Sequence, residues 1–114
     1  MIMTPDRVAL AGAFPGEMHP VGRMPATISK GAARLADGTI AGSIVSMLDG
    51  FRLMVHDVGV SPGEAAVMAS TNPCRLLGLE GRGSLVVGTR ADVVVLDREL
   101  KLKAVFIGGR EVIL

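Results

Sequence analysis

Ala91-Asp92-Val93-Val94-Val95-Leu96-Asp97 sets four consecutive aliphatic residues between two aspartates. So short a run, rich in β-branched side chains, reads as a strand, and its lack of polar alternation marks a strand buried on both faces. Something must therefore cover each side of it. Downstream, Ala104 to Ile107 and Glu111 to Leu114 read as further strands, and Gly108-Gly109 between them suits a two-residue hairpin turn that needs positive φ. Upstream, Ser84 to Val87 reads as another short strand ending at Gly88. Together these predict a small antiparallel sheet, and too little chain remains to cover it.

Further back the pattern changes from strand to helix. Ser43 can cap a helix whose apolar residues Ile44, Met47, Leu48, Phe51, Met54, Val55 and Val58 recur at three-and-four spacing, with Gly59 as its stop. Ser61-Pro62-Gly63-Glu64 supplies an N-cap, a proline at the first helical position and a Glu that can complete a capping box, opening a helix to about Ser70. Asn72-Pro73 restarts the motif, so Cys74 to Leu77 form a short helical turn ending at Gly78, and the centre reads as helix–turn–helix. Neither helix carries a basic row able to face a DNA groove. Nearer the start, Thr27-Ile28-Ser29 and Arg34-Leu35 flank a tight hairpin at Lys30-Gly31, and Asp37-Gly38 marks another turn.

The composition fits one aliphatic core. The 114 residues are the length of one ordinary domain, 49% hydrophobic and 20% charged, which excludes a disordered chain. Aromatic residues make up only 3%, so Ala, Val, Leu, Ile and seven Met must fill the interior. A formal charge of +1 provides no basic stripe, and nucleic acid is not expected as a partner. No run of about 18 apolar residues could span a bilayer and no signal peptide is visible, so neither a membrane nor export is expected. The single Cys74 cannot form an internal disulfide, and the chain reads as cytoplasmic.

Candidate chemistry is sparse. His19, followed by Pro20, reads as a loop residue, and His56 beside Asp57 as a helix-end residue favourable to the helix dipole. Neither belongs to a metal-ligand pattern, and no metal site is expected within the chain. Cys74 reads as a small packed side chain near a helix start. Gly81-Arg82-Gly83 and Gly108-Gly109 lack the strand-to-helix context of a nucleotide-binding loop and read as turns. Asp37 to Ser43 has two readings: a turn followed by an N-cap, or flexible backbone brought to a helix N-terminus where an anion or polar ligand can bind.

The segment Leu35-Ala36-Asp37-Gly38-Thr39-Ile40-Ala41-Gly42-Ser43, followed by Met47, resembles the D-G-T-x-A-G-S-x-x-x-M segment of N-acetylglucosamine-6-phosphate deacetylases. Ser61 to Leu79 resembles that family's S-x-x-E-A-x-x-M-A-S-x-N-P-A-x-x-L-G-L stretch. Gly83-Ser84-Leu85, Gly88 and Ala91 to Asp97 resemble the broader G-x-L-x-x-G-x-x-A-D-x-V-V-L-D signature of many amidohydrolases. The resemblance implies an α+β chain, a C-terminal fragment of an amidohydrolase. Residues 1–80 would be the end of a (β/α)8 barrel with a β-hairpin insertion and helices, and residues 81–114 the last strands of a small β-sandwich. The other sandwich strands would come from a segment upstream.

The same resemblance lays Asp6 to Gly12 on the family's D-A-x-x-x-A-G stretch, although this chain has Pro5 and Arg7 where the family usually has Thr or Ser and Ala. Asp6 would then be the catalytic carboxylate, a general base toward metal-bound water and afterwards an acid toward the departing amine. Ile40, Ala41 and Gly42 would give backbone contacts to the sugar. A divalent metal is implied for the full-length enzyme, though its His and Glu ligands have no counterparts here. The implied partners are a sugar-phosphate substrate and further copies of the chain in a homo-oligomer. The full-length reaction would release acetate and glucosamine 6-phosphate, and the chain alone would be inactive. Two other readings remain: a non-catalytic association module, or part of a dihydroorotase-like or adenine deaminase-like amidohydrolase.

Overall fold

The computed structural model describes residues 1–9, 11–29 and 31–113. They divide into two units, Met3–Leu53 and Met1–Ile2 with Met54–Leu114. The first holds an antiparallel meander of β1 (Met18–Val21), β2 (Met24–Ser29), β3 (Ala32–Leu35) and β4 (Ile40–Ser43), in sheet order β1-β2-β3-β4. Ser29 pairs with Ala32, so the strands expected around Lys30-Gly31 form; Lys30 itself lies outside the described residues. His19 is not in a loop. It lies in β1, an edge strand, which can take the neighbouring Pro20 because an edge need not donate every N–H.

This sheet is packed by small residues. Ala26 of β2 and Ala33 of β3 are fully buried, and Val8, Ala13, Val21, Ile28, Leu35 and Ala41 pack against them. Alanine at the two central positions lets the surrounding branched side chains close over the sheet. The β3–β4 register slips at Ala33/Arg34: Ala33 pairs with Gly42 and Arg34 with Ile40, so Ala41 is an extra residue in β4. This bulge breaks the strict alternation of a strand. Ala41 packs against the alanine core and Gly42 is buried, while Ile40 stays exposed.

Helix α1 (Met47–His56) starts later than the periodicity predicts. Ser43 does not cap it, because Ser43 is the last residue of β4 and its hydroxyl accepts from Val45 N–H at 2.9 Å. The cap is Ser46: its hydroxyl accepts from Asp49 N–H at 3.1 Å, and the Asp49 carboxylate accepts from Ser46 N–H at 3.2 Å. The Ser46 hydroxyl bond, before all else, holds the Asp49 carboxyl below its ordinary range. Gly59, with φ +80, follows the helix end as expected.

The second unit opens on the capping box read from the sequence. Ser61 Oγ accepts from Glu64 N–H at 3.3 Å, and Glu64 accepts from Ser61 N–H at 3.1 Å at the start of α2 (Pro62–Ala66). The chain does not turn at Asn72-Pro73. It continues through one π-helical turn, Val67–Thr71, into α3 (Asn72–Leu76), with Thr71 and Asn72 both in right-handed helical conformation. A proline inside a helix lacks an N–H and crowds the preceding turn, and widening that turn absorbs both defects. α3 then ends at Gly78, φ +64, in a Schellman motif: Leu79 N–H donates to Cys74 O at 2.9 Å and Gly78 N–H to Arg75 O at 3.2 Å.

β5 (Val93–Leu96), β6 (Leu102–Ile107) and β7 (Arg110–Val112) form the second antiparallel sheet, in the order β5-β6-β7. The Gly108-Gly109 turn has φ of +57 and +80, as a tight hairpin requires. Leu114, at the end of the expected last strand, lies outside the described residues. Two expectations fail in this unit. Ser84 to Val87 is not a strand: the Thr89 hydroxyl donates to Ser84 O and Val86 O, and Arg90 N–H donates to Gly81 O, closing residues 81–90 into a self-bonded loop. Nor is β5 buried on both faces, since Val94 is 58% exposed and Val95 40%. The cover that its apolar sequence calls for is not supplied by the described residues.

Candidate functional site

Asp6 lies beside β4. Its backbone carbonyl accepts from Ser43 N–H at 2.9 Å, and Val8 N–H donates to Ser43 O at 3.0 Å, so Asp6-Arg7-Val8 runs alongside the end of β4 with a parallel bridge between Arg7 and Ser43. Asp6 has φ +48, a left-handed conformation that Asp tolerates better than most residues. Among the described residues no hydrogen bond or ion pair holds its exposed carboxylate.

Gly42 makes this approach possible. Its φ is +143, and a Cβ there would run into Val8 Cγ1 and lie 3.4 Å from the Asp6 carbonyl oxygen. The structure thus brings Asp6 together with Gly42, two residues picked out by separate parts of the sequence. Ile40 and Ala41 follow in the same bulged strand, so the four candidate residues lie on two adjacent segments. Asp37 to Ser43 does not deliver its backbone to a helix N-terminus, since it enters and forms β4 and α1 begins only at Met47. Its turn is held by the Asp37 carboxylate, which accepts from Thr39 N–H at 2.9 Å; that bond holds the Asp37 carboxyl below its ordinary range.

The other candidates lie elsewhere. His19 Nε2, on β1, is 3.2 Å from Oε2 of Glu17, the residue before that strand, in an exposed pair. His56 is the last residue of α1. Cys74 is half-buried, and a Cβ on Gly83 would come within 2.9 Å of its sulfur, so it packs where Gly83 passes closest to α3. A catalytic divalent metal needs about three protein ligands on one centre. Among the described residues no three His, Cys, Asp or Glu side chains converge, so this donor set does not by itself fit such an ion.

Two aspartates prove structural in a way the sequence did not disclose. Asp92 Oδ1 accepts from Arg90 Nε at 2.8 Å and from Gly108 N–H at 2.7 Å, while Arg82 lies 3.7 Å from Oδ2. The Arg90 bond, followed by the Gly108 bond, holds the Asp92 carboxyl below its ordinary range. Asp97 Oδ1 accepts from Glu99 N–H at 3.0 Å and Lys101 N–H at 2.8 Å, and the Lys101 bond lowers its pKa most. The first clamps the β6–β7 turn to the start of β5; the second closes the β5–β6 turn. An Asp at each end of an apolar run was the available signal, since Asp caps turns through backbone N–H groups.

An α+β chain with two antiparallel meanders resembles, in sequence and in fold, a known class of hydrolases. The amidohydrolase family model matches residues 29–112, and the chain belongs to that family. It is 46% identical over 81 residues to the N-acetylgalactosamine-6-phosphate deacetylase of Escherichia coli O157:H7, covering 70% of this chain and 22% of that one. To the N-acetylglucosamine-6-phosphate deacetylase of Bos taurus it is 35% identical over 111 residues, covering 96% of this chain and 27% of the relative. The crystal structure of the Thermotoga maritima N-acetylglucosamine-6-phosphate deacetylase superposes with a TM-score of 0.91 at 32% identity, over 97% of this chain and 30% of that one. A Mycobacterium smegmatis deacetylase variant, solved in complex with N-acetyl-D-glucosamine-6-phosphate, superposes with a TM-score of 0.80 at 36% identity, over 92% of this chain and 28% of that one. The chain thus spans well under half the length of each of these four proteins, and 48% of one further relative, from Escherichia coli K12. No helix among the described residues is long and apolar enough to cross a membrane.

Proposed function

We propose that this chain forms part of an amino-sugar 6-phosphate deacetylase, with N-acetylglucosamine 6-phosphate as substrate and acetate and glucosamine 6-phosphate as products. In this proposal residues 1–80 belong to the barrel domain and residues 81–114 to the small sandwich. The observation that supports it best is the pairing of the Asp6 segment with Gly42 through the Ser43 backbone. That pairing brings the backbone of Asp6, whose carboxylate has no partner among the described residues, beside the strand proposed to hold the sugar.

In the reaction, water adds to the acetamide carbonyl and the C–N bond breaks. Asp6 takes a proton from the attacking water and returns one to the departing nitrogen, a use that calls for an exposed, unpaired carboxylate. Backbone groups of Ile40, Ala41 and Gly42 orient the sugar. The metal expected for the complete enzyme needs ligands from outside this chain, which alone should release no acetate.

The test is acetate release by the full-length protein that contains this segment. Asp6→Asn should lower kcat by roughly 10²–10⁴-fold, the usual worth of a general acid–base group. Full activity in that variant would remove Asp6 from the chemistry. Failure to release acetate from either amino-sugar phosphate would end the deacetylase proposal. A second substrate, N-acetylgalactosamine 6-phosphate, is favoured by the 46% identity to an enzyme named for it. The two sugars differ only in the configuration of one ring hydroxyl, and the ratio of their kcat/KM values decides between them.

A further inference from the structure

Arg34 sits opposite the irregularity in β4. It pairs with Ile40 while its neighbour Ala33 pairs with Gly42, so the extra residue Ala41 falls between their partners. A bulged residue is out of the ladder, and its direction must be set by what lies on either side. On one side is the Gly42–Val8 contact. On the other is the turn Leu35–Thr39, where Leu35 N–H donates to Thr39 O and Gly38 N–H to Leu35 O, both at 2.9 Å.

The Arg34 side chain reaches into that turn. Its NH1 donates to Gly38 O at 2.9 Å. Gly38 has φ +85, the left-handed conformation that this turn requires. Meanwhile Arg34 Nε is enclosed and has no hydrogen-bond partner among the described residues. A guanidinium with an unpaired, enclosed N–H is a costly way to fill space, and an uncharged side chain would do so without that loss. What Arg34 provides is the link to Gly38.

We propose that Arg34 is a positioning residue for Ile40–Gly42: by tying the turn to β3 it fixes the bulge, and with it the direction of the Ala41 and Gly42 backbone. This rests on the proposed role of those three residues in holding the sugar. It assigns Arg34 no contact with substrate.

The test compares the wild-type chain with Arg34→Gln and Arg34→Lys by amide hydrogen exchange, and the full-length protein with the same variants by kinetics. Arg34→Gln should speed exchange at Ile40–Gly42 by about tenfold, the loss expected for one local hydrogen bond, while β1 and β2 amides keep their rates. Arg34→Lys, which can still reach Gly38 O, should restore most of the protection. In the full-length protein Arg34→Gln should raise KM several-fold with kcat little changed. Unchanged exchange at Ile40–Gly42, uniform loosening of the whole sheet, or no rescue by lysine would each overturn the proposal. If exchange responds as expected but the wild-type full-length protein releases no acetate, the deacetylase proposal fails and the structural link stands.

Discussion

Replacing Gly42 by alanine tests the contact that joins the Asp6 segment to β4. The added methyl would overlap Val8 Cγ1, and Val8 cannot easily yield: its side chain is stiff at χ1, and its N–H is tied to Ser43 O at 3.0 Å. Relief therefore means moving residues 6–8 and loosening the Ser43 N–H to Asp6 O bond of 2.9 Å as well. Overpacking of this kind costs about 1–3 kcal/mol. Holding a residue with a Cβ at φ +143 adds roughly 1–3 kcal/mol, giving about 2–6 in all. That is a large part of the about 5–15 kcal/mol that stabilises an ordinary domain. Urea unfolding followed by circular dichroism on wild type, Gly42→Ala, Val8→Ala and the double variant separates the two parts. Val8→Ala removes the obstructing methyls, so the double variant should recover about 1–2 kcal/mol of the Gly42→Ala loss and retain the backbone part. The Ser43 amide should also exchange faster in Gly42→Ala and return toward wild type in the double variant. A Gly42→Ala protein within about 0.5 kcal/mol of wild type, or strictly additive single effects, would refute the close approach.

Two further outcomes follow from the carboxylates and caps. Asp37, Asp49, Glu64, Asp92 and Asp97 all have pKa values lowered in the fold by hydrogen bonds to their charged forms. The unfolded chain therefore binds more protons in acid, and stability is full above the ordinary carboxylate values of 3.8 and 4.5 and is lost as pH falls through and below them. A melting temperature that stays constant, or rises, from pH 5.5 to pH 3, both about, would contradict this. Ser61→Ala removes the acceptor for Glu64 N–H and should cost about 1 kcal/mol by urea midpoint, with faster exchange at Glu64; an unchanged midpoint would mean that the box contributes nothing.

What could be read from the sequence was chemistry that closes within a few residues. The Ser61–Glu64 box, the Gly78 stop, the Gly108-Gly109 turn and the bounds of Val93–Leu96 each depend on neighbours near in the chain. The misplaced start of α1 is instructive, because Ser46 and Asp49 offered the same box spacing, yet the apolar spacing extends back to Ile44, directly after β4 ends at Ser43. Ser84 to Val87 has strand composition, but composition cannot show that Thr89 turns back to bond Ser84 and Val86. At the candidate site the residue identities were legible, through resemblance. Their proximity was not, since the Asp6–Ser43 pairing links positions 37 residues apart in sequence and leaves no local mark. The exposure of Val94 follows from the absence, among the described residues, of a layer over that face of the sheet, which no window along the chain reveals.

Asp92 and Asp97 direct their carboxylates at backbone N–H groups of two successive turns, one before and one after β6. Any protein needing the same two hairpins meets the same demand, whatever its barrel binds. The A-D-x-V-V-L-D pattern is accordingly free to recur among enzymes with unrelated substrates, and its presence says how a sheet is stitched. If the β3–β4 turn and the bulge after it hold the substrate as proposed, a change of substrate there leaves the bonds of both aspartates in place.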